Sequence, residues 1–319
     1  VTRFQAFLLC AFALLLAVAT TIYVQGANIA ILEPAGPVAL GERNIIIITF
    51  LLCAIVVVPV FVMLFAFAWR YRASNPVAHE EHHPTWDHYN WVAEIIWWVI
   101  PAIIVAILGV IAWQSSHALD PYKPLDSNVP AITVDVVALD WKWLFIYPAQ
   151  GVASVNLVEF PEGTPVHFYL TADAPMNSFW IPQLAGQIMV MPGMTTQLNL
   201  MASRTGDFNG FSGNISGEGF SGMTFTARAV SDSDFSEWVS SIKASSTPLT
   251  MVSYATLAQP SEYNPIAYYA PVDDIFDADI MKYMAPGSSM DMNMNGPDST
   301  MDEPTTSSDT MSGTSDMRM

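Results

Sequence analysis

Two adjoining stretches decide the fold: Ile132-Thr133-Val134-Asp135-Val136-Val137-Ala138, and Asp140-Trp141-Lys142-Trp143-Leu144-Phe145-Ile146-Tyr147-Pro148. β-Branched and aromatic residues crowd both, and Pro148 closes the second, so each reads as a strand. The same rhythm continues over 152–157, 165–170, 186–191, 195–201 and 223–230, with Pro, Gly and Asn turns between. Strands at this spacing predict an all-β sandwich of about 100 residues, which we place at 119–231. After Asp232 the period turns helical through Phe235, Trp238, Val239 and Ile242. Tyr254, Tyr263, Tyr268, Tyr269 and Tyr283 then mark a helical, aromatic-rich extension over 232–285.

Upstream the chain is a different material. Of its 319 residues, 52% are hydrophobic and 13% charged, and the mean hydropathy is +0.35. That is too apolar for an ordinary soluble domain, while the second half is too polar for lipid, so a membrane anchor carrying a water-exposed domain is expected. Residues Ile45 to Trp69 carry no charge, and Trp91 to Trp113 carry only Glu94; both runs are long enough to cross a bilayer core of about 30 Å. Trp69 and Trp91 at one end and Trp113 at the other suit the lipid–water interface. Arg70 and Arg72 place the loop between the spans in the cytoplasm, so everything after about His117 is expected outside. Pro59 and Pro101 fall within the spans, which favours a hairpin packed against another subunit. A third apolar run, Phe4 to Thr21 behind Arg3, has the layout of an export signal and could equally be a retained helix. The organisation is thus a signal-like segment at 1–26, a transmembrane hairpin within 27–118, the sandwich and the extension.

Charge and cysteine content exclude other classes. With 29 acidic against 11 basic residues the net charge is −18, so no nucleic-acid partner is expected. Both cysteines, Cys10 and Cys53, lie in apolar runs, which leaves the polar half without a disulfide framework or a thiolate metal site. From about Pro286 the chain is Ser, Thr, Asp, Gly and Met, a composition too polar to offset the entropy of ordering; 286–319 is expected to be disordered.

Three motifs carry a family resemblance: Asp140 to Pro148, Met176-Asn177-Ser178-Phe179-Trp180-Ile181-Pro182-Gln183-Leu184, and Gly217-Glu218-Gly219-Phe220-Ser221-Gly222-Met223. Together with the hairpin and sandwich, the chain from about Leu32 to Met284 resembles subunit II of the haem–copper terminal oxidases, and within them the cytochrome bo-type ubiquinol oxidases. The resemblance implies an α+β membrane protein: a helical hairpin, then a cupredoxin-like Greek-key sandwich facing the periplasm of a bacterial inner membrane. It further implies assembly with subunits III and IV and with a catalytic subunit I that holds haems and one copper, with ubiquinol as the substrate of the complex.

In the cytochrome c oxidase branch this domain holds a two-copper centre. Against that pattern the first His position is Asn177, the two Cys positions are Ser212 and Ser216, the Glu position is Asn214 and the second His is Phe220; Met223 alone persists. Thiolates bridge the coppers there, and hydroxyl or amide oxygens do not replace them. The resemblance therefore implies that this chain binds no metal or cofactor and has no catalytic residue of its own. A membrane quinol, rather than cytochrome c, is the expected donor. The rivals are a cytochrome c oxidase subunit with copper bound unconventionally, and a membrane-tethered copper chaperone.

Several other residues bear on function. His167, the one histidine of the sandwich, reads as a structural residue on a strand. The run His79-Glu80-Glu81-His82-His83 reads as a solvated loop rather than a metal site, and Met290, Met292, Met294 and Met301 as part of the polar tail rather than a Cu(I) chelate. No acylation site is expected, because Ala27 stands where some relatives carry a modified Cys and Cys10 is deep in the apolar run. Glu94 leaves two readings open. A carboxylate near the inner end of a span is a functional candidate by default, and in the family one at this place lies by the mouth of a proton channel in subunit I; alternatively it snorkels to the interface.

Overall fold

The computed structural model describes residues 15, 29–72 and 91–284. The signal-like segment apart from Leu15, the His79–His83 run and the Met-bearing tail lie outside the described residues.

Two long helices form the anchor, α1 (Pro37–Arg70) and α2 (Trp91–Ala118). Both pass through their prolines, Pro59 and Pro101, without ending. Their bounds exceed the expected spans of 45–69 and 91–113. Pro37 opens α1 where a missing N–H costs nothing, and at 1.5 Å per residue the 34 residues of α1 measure about 51 Å, well beyond a hydrocarbon core of about 30 Å. The excess lies against the sandwich: Ala35 N–H donates to Gln183 O at 2.7 Å, Ser203 N–H to Ala35 O at 2.7 Å and Ala39 N–H to Leu184 O at 3.3 Å. Gly36 is required there, since a Cβ would sit 2.3 Å from Met201 O. Elsewhere the helices present apolar side chains outward, among them Phe50, Phe65, Trp97 and Trp113, as a surface meant for lipid or a partner does.

The sandwich contains ten strands: β1 (Ile132–Leu139), β2 (Lys142–Tyr147), β3 (Val152–Val155), β4 (Leu157–Pro161), β5 (Val166–Ala172), β6 (Asn177–Trp180), β7 (Ile188–Val190), β8 (Thr196–Leu200), β9 (Gly206–Ser212) and β10 (Thr224–Val230). Helix α3 (Asp232–Ser245) follows, then β11 (Thr247–Leu249), α4 (Met251–Leu257), β12 (Ala267–Val272) and α5 (Ile275–Met284). One sheet runs β11-β12-β3-β2-β1-β5-β8 and the other β4-β10-β9-β6-β7. Antiparallel pairs dominate, but β1 pairs parallel with β5, β4 with β10 and β11 with β12.

Between the sheets lies an aromatic core. Phe179 stacks on Phe225 with centroids 4.9 Å apart, and Trp143 meets both edge-on. Every side chain of β2 is buried, because its other face is covered too: Leu144 and Ile146 pack with Leu249, Tyr254 and Ile275 from the extension. Two-sided burial explains why β2 reads as a continuous apolar run instead of alternating.

Four differences from the sequence reading have physical causes. The 152–157 segment is two strands, broken where Asn156 takes φ +56°. Strands β6 and β9 were not anticipated; they are rich in Asn, Ser and Gly, which depress strand propensity. Trp141 is not in a strand but in the turn before β2, at φ +62°. The 232–285 extension is not simply helical either, since β11 and β12 extend the larger sheet.

Candidate functional site

Of the positions that the resemblance sets against copper ligands, Asn177, Ser212 and Asn214 meet at one end of the smaller sheet. Asn177 opens β6 and Ser212 closes β9, and β6 and β9 are hydrogen-bonded neighbours. Both side chains are buried. The single proton of Ser212 Oγ is shared between Asn177 Oδ1 at 3.0 Å and the carbonyl of Asn214 at 3.2 Å. The same oxygen accepts from Ser178 N–H at 3.3 Å and Asn214 N–H at 3.4 Å. Asn177 Nδ2 donates to Pro175 O at 2.8 Å and Asn214 Nδ2 to Met176 O at 2.8 Å. The side-chain donors of Asn177, Ser212 and Asn214 are thus directed at the protein's own backbone and side chains, as the burial of Asn177 and Ser212 requires.

The remaining positions complete the loop. Ser216 Oγ is buried and has no hydrogen-bond partner among the described residues. Phe220 and Met223 lie on and just after a short 3-10 turn, Glu218–Gly222, and Met223 N–H donates to Phe220 O at 3.0 Å. Met223 is 1% exposed and belongs to the aromatic core. The set offers two hydroxyls, two amides and a thioether. Without a thiolate or an imidazole it does not fit a two-copper centre, which needs soft bridging sulfur.

Trp141 fixes this loop from outside. Its indole covers Gly217 and Gly219, where an added Cβ would come within 3.0 Å and 2.4 Å of the ring, and its Nε1–H donates to Ser216 O at 3.4 Å. A tryptophan in the left-handed region costs on the order of 1–2 kcal/mol, a strain offset by these contacts. Its partner Trp143 is fully buried in the core. The sequence reading put Trp141 in a strand and missed the clamp, whose signal was the pair Gly217 and Gly219. It also missed Ser178, which binds Gln187 Oε1 at 3.0 Å beneath the loop.

His167 lies on β5, stacked on Tyr169 with centroids 4.4 Å apart, and its Nε2 is buried without a hydrogen bond. Among the described residues no three His, Cys, Asp or Glu side chains cluster as metal ligands do. Glu94 is half-buried in the first turn of α2, far along the chain from the sandwich loop, where the helix N-terminus favours a carboxylate.

An aromatic-cored sandwich on a two-helix anchor, its ligand loop rebuilt in hydroxyls and amides, defines a membrane-anchored protein of the cytochrome oxidase subunit II class with its domain outside the bilayer. The family model described as "Cytochrome C oxidase subunit II, periplasmic domain" matches residues 132–230, and "COX Aromatic Rich Motif" matches 243–287. The chain is 48% identical over 269 residues to cytochrome bo(3) ubiquinol oxidase subunit 2 of Pseudomonas aeruginosa, covering 84% of this chain and 80% of the relative. It is 45% identical over 267 residues to ubiquinol oxidase subunit 2 of Acetobacter aceti, covering 83% and 86%. The chain belongs to the ubiquinol oxidase subunit 2 family.

Proposed function

We propose that this chain is the metal-free subunit II of a proton-translocating respiratory oxidase that passes electrons from membrane ubiquinol to O2. The observation that carries this reading is the closed Asn177–Ser212–Asn214 network at the positions where the copper branch holds its ligands. With no sulfur bridge the domain has no electron relay, so electrons enter the complex from a donor dissolved in the bilayer. The redox centres, haems and one copper, belong to the catalytic subunit I, and subunits III and IV complete the assembly.

The chain's own work is structural and protonic. The hairpin's outward apolar faces supply the surface for subunit I and lipid. Rigid hydrogen bonds from the lead into α1 to the sandwich hold the domain over subunit I on the periplasmic face of the inner membrane. Glu94, at the cytoplasmic end of α2, takes up protons near the mouth of a subunit I channel. The test is the electron donor: the purified complex is expected to consume O2 with ubiquinol and not with reduced cytochrome c, and the reverse preference would refute the reading.

A further inference from the structure

The C-terminal helix is fastened to the sandwich by an unusual polar cluster. Asp173, just after β5, has a side chain only 6% exposed. Its carboxylate takes Tyr283 OH at 2.6 Å and Tyr254 OH at 3.1 Å, and pairs with Lys282. These donors come from α4 and α5, so one carboxylate joins the sandwich to both helices. Beside it on α5 sits Asp279, 2% exposed, with neither carboxyl oxygen receiving a hydrogen bond. A buried carboxylate with no donor is among the most costly arrangements in a protein interior. Tyr254 OH, Tyr283 OH and Lys282 Nζ, the donors of this cluster, are directed at Asp173.

We propose that Asp173 and Asp279 share one proton, making a proton-binding site that docks α5 on the sandwich. Held by Asp279, the proton converts an unpartnered acceptor into a donor aimed at Asp173, and the orphaned oxygens are explained. The charge balance then works: Asp173 stays anionic against Lys282, and Asp279 is neutral. Burial and the facing Asp173 push Asp279 up to about 7, whereas its hydrogen bonds hold Asp173 below the usual carboxylate range. Tyr254 and Tyr283 are pushed up by burial and stay protonated.

The sign follows from linkage. Asp279 binds its proton more tightly in the docked state, so docking is strongest at low pH and weakens as pH rises from about 4 towards about 7. Asp173 acts in the opposite sense, only below its ordinary value near 4. Other groups face this region. Asp140, pushed up by burial, and Lys142 approach from the β1–β2 turn. Asp135 on β1, against Asp274 and Asp277 at the start of α5, is pushed up to about 6 and loosens the same helix in the same direction.

Hydrogen exchange of the 275–284 peptide in the purified complex, corrected for intrinsic rates, tests this. Exchange is expected to be about tenfold faster at about pH 8 than at about pH 5.5. Asp279→Asn supplies a permanent donor to Asp173, and in an Asp135→Asn background, which removes the parallel contribution of Asp135, should hold the ratio below about threefold, while Asp135→Asn and Asp140→Asn alone leave it above that value. Asp173→Asn in the same background breaks the pair from the sandwich side and is expected to flatten the response likewise. A ratio near one in the unaltered chain, or at or above about threefold in whichever pair variant assembles in that background, overturns the proposal.

Discussion

Ser212 Oγ donates to Asn177 Oδ1 at 3.0 Å, joining the end of β9 to the start of β6 across 35 residues of chain. Where the family resemblance implies a thiolate and an imidazole facing a metal in the copper branch, a hydroxyl and an amide here face each other. The loop keeps its course because hydroxyl and amide satisfy one another and the surrounding backbone.

That bond has a measurable consequence. Asn177→Ala removes one of the two acceptors of the Ser212 Oγ proton and the side-chain donor to the Pro175 carbonyl, and should lower stability by about 1–3 kcal/mol. Thermal unfolding of the full-length subunit, followed by near-ultraviolet circular dichroism, reports it. An unchanged midpoint would mean that water replaces the amide at no cost.

A second effect is pH-dependent. Glu159 on β4 is 5% exposed and faces Arg228 in the β4–β10 register. Burial pushes it up to about 7, with Arg228 opposing the rise and Asp207 and Asp234 adding to it. The folded state therefore binds a proton that the unfolded chain releases near pH 4, and stability falls as pH climbs from about 4 to about 7. Glu159→Gln should remove this fall, raising the unfolding temperature at pH 8 relative to the unaltered chain while changing little at about pH 4. A variant equally or less stable at pH 8 would show that the Arg228 attraction outweighs desolvation.

Much of this fold is legible in the sequence, and the failures share a cause. The spans, β1, β2, β5, β8 and β10 announce themselves because burial selects apolar and β-branched side chains. β6 and β9 do not, because Asn177 and Ser212 are buried through hydrogen bonds rather than apolarity. β11 and β12 are masked because they complete a sheet begun more than a hundred residues earlier, a pairing that local pattern cannot encode. The site was legible only by likeness: nothing local marks Asn177 as special until the family pattern is laid beside it. Asp279 escaped altogether, since a lone Asp in an amphipathic helix reads as solvated.

Glu94 sits in the first turn of α2, where its role can be separated from mere snorkelling. Glu94→Ala should assemble normally yet slow quinol-driven oxygen uptake per haem by about tenfold, less than the roughly 10²–10⁴-fold of a group that transfers a proton in the chemical step, because water remains as an alternative carrier at the channel mouth. Glu94→Asp should retain most of the rate, because an ionisable group remains one methylene shorter. Full activity in Glu94→Ala would remove any protonic role from this chain.

The most direct measurement is the metal content of the purified native complex, taken together with its visible and near-infrared spectrum. If Asn177, Ser212, Asn214, Ser216, Phe220 and Met223 form the closed loop described above, copper should amount to the single ion of subunit I, with no mixed-valence bands. Two further coppers per complex, accompanied by the purple chromophore of a thiolate-bridged pair, would contradict it.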